Sequence, residues 1–454
     1  MRSSTLRGVV KRGSLLGSLG LVGLLAGCTS LGPGTPATPD LSQHKARTNC
    51  PTGLPDGTQC LSGKDEAGAY WWVAMPKEWS GVLVMHAHGG PELGAPRLER
   101  GAADLQRWSI MVKAGHAWAG STFRQGGVAV RAAAEDTERL RLLFNKEVAQ
   151  PRRTVLHGQS WGAGVAAIGA EMHPNSMDGV LLTSGVLAGG TRSYDFRLDL
   201  RVVYQAVCGT HPKPDEPAYP VWMGLPPDGK LTRPELAQRV NDCTGVNLPK
   251  AQRSPAQQQA LDTLTRQARI PERSLIGHLN WATWHFQDIV QKRTSGKSPF
   301  GNIGVVYTAE TGQDALNAKV ARFATDPQAV ATLAADTDPN GKISKPTLSL
   351  RGIHDATAFV EMDSVFAQAM AQAGNAQWLV QTYSDSAEHS YLHDAEYPAA
   401  MDALLAWIER GEKPTPQGLL QRCKAVQPRF GGDCKLVPEY RAASLETRVA
   451  PRQK

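Results

Sequence analysis

A short apolar strand that runs into Gly-x-Ser-x-Gly leaves this chain few ways to fold. Residues 155–164 read VLHGQSWGAG. Glycines two positions before and two positions after Ser160 allow a strained turn between a strand and a helix. The small residues that continue to position 170 let that helix pack closely beneath the strand. The segment therefore predicts a nucleophile elbow with Ser160 at its tip; the alternative is an ordinary glycine-rich turn with an incidental serine.

Apolar runs on both sides of the elbow predict a parallel sheet. Residues 82–86 read VLVMH and residues 178–184 read DGVLLTS, as is typical of strands buried on both faces. Helical patterns alternate with these and further apolar segments, and a closing helix is predicted at 401–409. The alternation indicates an α/β protein with a mostly parallel central sheet flanked by helices. The further strands are predicted at 70–76, 116–121, 347–351 and 378–383.

Residues 187–301 interrupt this alternation with many prolines and no regular period. An insertion of this length must pack on its own. It leaves the sheet after the 178–184 strand, whose carboxyl end lies at the same edge as Ser160, so we predict a cap or lid over the elbow. Trp281 and Trp284 are predicted to form an apolar substrate-binding wall; the alternative is that they form the cap's own core. The core is then divided into halves at 49–186 and 302–418, followed by an extension at 419–454.

A serine hydroxyl is a weak nucleophile, so it needs a base and an acid that orients the base. Asp355 lies in the first loop after the 347–351 strand, and His389 lies in the loop after the 378–383 strand. Both loops follow strands and come after the serine in the chain. We therefore predict a Ser160, Asp355 and His389 triad. The alternative acid is Asp338, in a turn before its strand, and the alternative base is His393.

A tetrahedral intermediate needs two backbone N–H donors directed at its oxyanion. Trp161, directly after the nucleophile, is predicted to supply one of them. The other is predicted in the HGGP loop at 88–91, where Pro91 has no N–H, so Gly90 is favoured and Gly89 is the alternative. The nearby His86 and His88 have no third ligand at a recognisable spacing, and we predict no metal and no cofactor.

The N-terminus reads as an export signal. A basic start is followed by an apolar run from 15 to 26 and then by the motif LAGC. The apolar run is too short to be a good membrane span. The motif resembles a bacterial lipobox, which implies a signal peptide at 1–27, lipidation of Cys28 and a tether at 28–48. If the organism has an outer membrane, Thr29 in the next position implies an anchor there or one that faces the periplasm. The alternative is a plain signal peptide with an incidental cysteine.

The basic excess of the chain comes largely from its ends. The formal net charge is +7. Removing the four basic residues of the first twelve positions from the 49 basic side chains leaves 45 against 42 acidic ones. We therefore expect a nearly neutral body that does not bind nucleic acid.

Six cysteines remain after Cys28, an even number that implies disulfides in an exported chain. Their spacing groups them as neighbours in sequence. A zinc site is the alternative, but no C-x-x-C pair is present. The predicted pairs are Cys50–Cys60, Cys208–Cys243 and Cys423–Cys434.

Together, these motifs resemble the α/β-hydrolase superfamily across residues 70–417. The resemblance is carried by HGGP at 88–91, GQSWG at 158–162, GIHD at 352–355 and His389. It implies a serine hydrolase that forms an acyl-enzyme on Ser160. The first two motifs are also similar to proline-iminopeptidase-type peptidases. Those enzymes usually carry Asp-x-Arg-Gly-x-Gly after the next strand, where this chain has STFRQGG at 121–127.

Three functions follow from these motifs. We rank first an ester hydrolase acting on hydrophobic or aromatic esters, because no acidic cluster for a free amino terminus is evident. A peptidase or amidase is second. A catalytically inactive binding lipoprotein is third, since a binding module has no reason to keep the complete set of motifs in order.

Overall fold

Nine strands form one sheet in the part of the protein that the structure describes. The structure is a computed structural model that describes residues 36–309 and 312–452, and the chain from Pro36 onward forms one compact unit. The sheet order is β1-β2-β3-β5-β4-β6-β7-β8-β9. The first three pairs are antiparallel and the others parallel. The strands are β1 (Arg47–Thr48), β2 (Gln59–Lys64), β3 (Tyr70–Met75), β4 (Val82–Ala87), β5 (Ala117–Ser121), β6 (Arg153–Gln159), β7 (Gly179–Thr183), β8 (Thr347–Gly352) and β9 (Leu379–Ser384).

Helices cover both faces of this sheet. The longest are the 18-residue α3 and the 15-residue α14 and α15. The helices are α1 (Leu98–Arg107), α2 (Ser109–Lys113), α3 (Val130–Glu147), α4 (Trp161–Met172), α5 (Gly189–Ser193), α6 (Asp195–Cys208), α7 (Arg233–Thr244), α8 (Pro255–Ala268), α9 (Leu275–Asn280), α10 (Phe286–Asp288), α11 (Gln313–Lys319), α12 (Pro327–Thr337), α13 (Met362–Gln372), α14 (Glu396–Arg410) and α15 (Pro416–Phe430). Two π-helical turns, Trp281–His285 and Ile289–Arg293, flank α10.

The central strands are apolar throughout because both of their faces are buried. Successive side chains of a strand point to opposite faces. Val82 and Val84 of β4 accordingly belong to the core layer that contains residues of α1, α2 and α14. Leu83 and Met85 belong to the opposite layer, with residues of α3 and α4. This arrangement confirms the predicted fold class, a mostly parallel sheet between helices.

The strands at one edge of the sheet are not apparent in the sequence. β2 has only two buried residues out of six, and β1 is two residues long. Their antiparallel pairing places them beyond β3, where less apolar surface needs covering. The other strands lie within a few residues of their predicted positions, and the predicted closing helix lies inside α14.

The excursion between β7 and β8 contains helices α5 to α12. Its apolar side chains form a core with residues of the elbow helix, among them Trp161 and Val165. α11 packs on α6, whereas α12 packs on α3 and α5. The predicted cap at 187–301 thus contains α5 to α10, and its outer limits remain predictions.

The C-terminal segment ties the sheet to the excursion. α15 packs on α14, and Leu436 pairs with Ser384 at the end of β9. Arg452 then reaches α6, where its guanidinium lies 2.7 Å from the Asp199 carboxylate. The last described residues therefore connect the core with the cap.

Three disulfides join the described cysteines. They are the pairs predicted from sequence spacing, Cys50–Cys60, Cys208–Cys243 and Cys423–Cys434. Each closes a loop within one region of the fold: near the edge strands, in the cap, and between α15 and the segment that follows it.

The predicted signal peptide and the lipidation site Cys28 lie outside the described residues. Within the described ranges, no helix is long and apolar enough to cross a membrane.

Candidate active site

Ser160, His389 and Asp355 form a continuous chain of hydrogen bonds at the carboxyl edge of the sheet. Ser160 Oγ lies 2.7 Å from His389 Nε2, and His389 Nδ1 lies 2.7 Å from Asp355 Oδ2. An ionised carboxylate only accepts hydrogen bonds, so Nδ1 donates to Asp355 and Nε2 is left to accept the Ser160 hydroxyl proton. The structure thus brings the three predicted residues together in the order that a serine nucleophile requires.

The turn that presents Ser160 depends on the two glycines around it. Ser160 has φ of 58° and follows β6 directly, and α4 begins at the next residue. A Cβ atom at Gly158 would collide with the carbonyl of Gly162, and one at Gly162 would collide with the carbonyl of Ala87. Only glycine allows these close approaches. The strained serine conformation is therefore held by the packing of the whole turn.

Asp355 is oriented by the backbone of its own loop. It is 2% exposed, and Oδ1 accepts hydrogen bonds from the N–H groups of Thr357 at 2.7 Å and Ala358 at 3.1 Å. These bonds direct the other oxygen toward His389. The alternative acid, Asp338, instead bonds to the backbone and hydroxyl of Thr191.

The alternative base, His393, lies in a different environment. Its pKa is lowered chiefly by burial and by Lys435 in the C-terminal extension. The hydrogen bonds to Ser160 and Asp355 are made by His389.

The first predicted oxyanion donor lies at the start of α4. Trp161 is the first residue of that helix, and the N–H groups of a first helical turn have no partner within the helix. The helix dipole adds partial positive charge at this end. Trp161 N–H is thus available directly beside Ser160.

The second predicted donor, Gly90, belongs to a peptide whose orientation is set by Arg100. The Arg100 Nη2 group donates a hydrogen bond of 2.6 Å to Gly89 O. In a trans peptide the C=O and the following N–H point in opposite directions, so Gly90 N–H points away from Arg100. Asp104, 2.9 Å from Arg100 Nε, holds the guanidinium in place. Gly90 has φ of 69° and is exposed.

Gln159 connects the glycine loop to the histidine loop. Its carboxamide oxygen lies so close to Gly89 that a Cβ atom there would collide with it, and its Nε2 donates to His389 O at 3.4 Å. Sequence reasoning missed both Gln159 and Arg100 as site residues. The only signal for Gln159 was its place inside the elbow motif, and for Arg100 there was none.

His86 and His88 have different neighbours. His86 Nδ1 lies 3.0 Å from His157 Nδ1, under the ring of Trp108, whereas His88 stacks on Phe123 at 4.4 Å between ring centroids. Burial lowers the pKa of His88 and of His157 to about 3, so both rings are neutral at neutral pH. No cluster of three or more metal-ligating side chains occurs in the described ranges.

The cap contacts the loops on both sides of the triad. His285 Nε2 donates to the carbonyl of Pro91, beyond the glycine loop, at 3.0 Å. His278 Nε2 donates to the carbonyl of Ala356, beside Asp355, at 2.9 Å. The segment 275–285 therefore lies across the carboxyl edge of the sheet.

The two candidate tryptophans of the cap have different surroundings. Trp281 is half-buried and stacks on His285, with 4.6 Å between centroids and 8° between planes. Trp284 lies under the guanidinium of Arg233 on α7. Because the turn 281–285 is π-helical, residues three apart do not share neighbours as they would on an α-helix. Trp281 lies on the side that reaches Pro91 through His285.

Comparison with known proteins gives only distant similarities. No family model and no curated protein sequence matches the chain. Among solved structures, an esterase from Aspergillus oryzae is 11% identical, with 79% of this chain and 80% of that one covered and a TM-score of 0.40. A bacterial brefeldin A esterase is 12% identical, with 83% and 80% covered and a TM-score of 0.38. Feruloyl esterase B from Aspergillus oryzae is 13% identical, with 79% and 80% covered and a TM-score of 0.36.

Because these TM-scores are low, the fold is assigned from the order of the strands in this chain and from the loops that follow them. The elbow follows a central parallel strand, the glycine loop follows its neighbour β4, and the acid and histidine loops follow β8 and β9. That placement, with the order serine, aspartate, histidine along the chain, is characteristic of one superfamily. The chain therefore has an α/β-hydrolase fold.

Proposed function

We propose that this protein is a serine hydrolase that cleaves carboxylic esters through an acyl-enzyme on Ser160. The observation that supports it most strongly is the hydrogen-bonded chain from Ser160 through His389 to Asp355. In this arrangement the base, His389, contacts the serine hydroxyl, and Asp355 orients that base.

In the first half of the reaction, Ser160 Oγ attacks the ester carbonyl carbon while His389 Nε2 takes the hydroxyl proton. The carbonyl oxygen becomes an oxyanion that accepts hydrogen bonds from the N–H groups of Trp161 and Gly90. The imidazolium is stabilised by Asp355. Collapse of the intermediate breaks the bond to the alcohol oxygen, which leaves with the proton from His389, and the acyl group stays on Ser160.

In the second half, a water molecule takes the place of the alcohol. His389 accepts a proton from the water as its oxygen attacks the acyl carbon, and the same two donors bind the second oxyanion. Breaking the bond to Ser160 Oγ releases the carboxylic acid and returns the proton to the serine. The enzyme is regenerated without any cofactor taking part in these steps.

The charges around the site favour an ester over a peptide with a free amino terminus. An aminopeptidase needs carboxylates to bind the substrate ammonium group. The buried charged side chain of the cap that bonds to the acid loop is instead an arginine, Arg197, which donates to Thr357 O. Trp281 and His285 are partly exposed beside the glycine loop and supply an aromatic wall for an acyl or aryl group.

A panel of substrates tests this proposal. Aryl esters such as 4-nitrophenyl butyrate should be hydrolysed with a kcat/KM far above that for aminoacyl 4-nitroanilides of similar size. Faster cleavage of the anilides would instead identify a peptidase. Failure of the folded protein to cleave either class would contradict a hydrolase.

We also propose that the protein is exported and anchored to the outer membrane through a lipid on Cys28. The LAGC motif and the three disulfides support export. Expressed with its complete N-terminus in a Gram-negative host, the wild-type protein should sediment with membranes, and the Cys28→Ala variant should not be lipidated. Equal lipid labelling of the two proteins would rule out Cys28 as the attachment site.

A further inference from the structure

Helix α6 places buried charges of opposite sign on different faces. Asp195 and Asp199 are one helical turn apart, and Arg197 and Arg201 are also one turn apart but displaced by two residues. Residues two apart on a helix do not face each other. All four residues are at most 5% exposed. Each face therefore needs its own source of compensating charge.

The acidic face of α6 has a compensating positive charge within the chain. Arg452 lies 2.7 Å from an Asp199 carboxylate oxygen and 3.6 Å from one of Asp195. Tyr307 adds a hydroxyl that donates to Asp199 at 3.0 Å. The buried carboxylates are thus paired, as buried charges generally are.

The arginine face of α6 has no compensating negative charge within ion-pair distance among the described residues. No carboxylate lies within ion-pair distance of Arg197 or Arg201 in the described ranges. Arg201 is fully buried, and its three nitrogens make no hydrogen bond of normal geometry there; its polar neighbours include the phenols of Tyr204 and Tyr219. Arg197 makes two long hydrogen bonds, to Ser193 O at 3.4 Å and to Thr357 O at 3.3 Å, and its Nε has no partner.

Arg197 lies at the rim of the candidate active site. Its contact Thr357 is the residue whose N–H orients the Asp355 carboxylate. Its guanidinium carbon lies 4.6 Å from the centroid of Trp281, which in turn stacks on His285 beside the glycine loop. Trp281, His285 and His389 are partly exposed, so solvent reaches this side of the cap.

Asp355 does not serve as the missing partner. Its charge acts on Arg197 through space, but its two oxygens are already bonded to His389 and to the backbone of its loop. Burial lowers the pKa of Arg197 to about 10, so the side chain is still a cation at neutral pH. A buried cation without a bonded anion is costly, and a planar carboxylate matches the guanidinium donors well.

We propose that Arg197 binds a carboxylate carried by the ester substrate, so that the preferred substrates are anionic esters with an aromatic or apolar part. The rings of Trp281 and Phe196 lie over the guanidinium, whose Nε has no hydrogen-bond partner and whose two other nitrogens make only long bonds to backbone carbonyls. Arg201, one turn further along the same face, strengthens the positive potential. This inference rests on the proposed ester hydrolysis for its biological meaning.

Binding of matched, non-hydrolysable ligands tests the inference separately from catalysis. The ligands are 4-butanamidobenzoate and its neutral carboxamide, with the carboxylate on the aryl side, and adipic acid monoanilide and its carboxamide, with the carboxylate on the acyl side. Calorimetry with the Ser160→Ala protein should show at least about tenfold tighter binding of the carboxylate in one pair. The additional Arg197→Met substitution should remove that preference, and Arg197→Lys should keep part of it.

Arg448→Met is the matched control, because Arg448 also lies over an aromatic ring of the same cluster, Phe359, but is paired with Glu361. It should leave the preference unchanged. The inference is overturned if neither pair shows a preference, or if Arg197→Met weakens charged and neutral ligands equally, which would indicate a role in holding the acid loop.

Hydrolysis of phenyl butyrate by the wild-type protein is measured in parallel. Turnover without a carboxylate preference rejects the subsite alone. A carboxylate preference without turnover rejects the proposed function alone.

Discussion

At the scale of single residues, the orientation of the peptide between Gly89 and Gly90 decides whether the candidate site has a second oxyanion donor. Arg100 donates to Gly89 O and is itself held by the carboxylate of Asp104. Burial raises the pKa of Asp104 to about 6. The carboxylate stays ionised at neutral pH because the arginine is beside it. This pair lies on α1, outside the motifs that contain the reacting groups.

Replacing Arg100 should therefore affect catalysis more than binding. The Arg100→Met variant is expected to lower kcat by about 10-fold to 100-fold with a smaller change in KM, since a misdirected Gly90 N–H weakens the oxyanion site. Arg100→Lys should recover part of the loss. Steady-state kinetics with 4-nitrophenyl butyrate measure both parameters.

The neighbouring Arg97 offers a matched control. It pairs with Glu92 on the surface, as Arg100 does, but makes no contact with Gly89 among the described residues. Arg97→Met should leave kcat unchanged. The double variant Arg100→Met with Asp104→Asn removes the carboxylate that the single variant leaves unpaired. Equal kcat for Arg100→Met and the wild-type protein, or a loss that appears only with a lower Tm, would contradict the positioning role.

The order of residues in the sequence was enough to predict the three residues that the structure joins in one hydrogen-bonded chain. Ser160, Asp355 and His389 each follow a strand of recognisable pattern, and parallel strands bring their carboxyl ends to one edge. Arg100, Gln159 and Arg197 could not be found in this way. Their importance depends on contacts between segments far apart in the chain, and no local pattern encodes those contacts.

At the scale of elements, patterns predicted the strands of the core but not the internal structure of the cap. Fully buried strands such as β4 and β6 have continuous apolar runs, whereas β2 at the sheet edge has few buried residues. In the cap, two π-helical turns around α10 change which residues share a face. Trp281 stacks on His285, whereas Trp284 lies under Arg233, so the two tryptophans have different partners.

At the scale of the whole molecule, the cap is connected to the core on both sides of the triad. His285 and His278 bond to the loops beyond Gly90 and Asp355, and Arg452 in the C-terminal segment pairs with α6. Ser160 lies within this arrangement and is 7% exposed. The proposed function requires that the acyl group is transferred to Ser160.

Trapping the acyl-enzyme tests that claim most directly. The protein is mixed with excess 4-nitrophenyl butyrate, quenched in acid within the first turnovers, and its peptides are analysed by mass spectrometry. A butyryl group is expected on the peptide that contains Ser160. It should be absent from Ser160→Ala, in which turnover should fall by several orders of magnitude, on the order of 10⁶ for a serine protease nucleophile. Ser390→Ala, which removes an exposed hydroxyl beside His389, should keep both the adduct and the turnover. An adduct on another residue, or undiminished hydrolysis by a folded Ser160→Ala protein, would contradict the account.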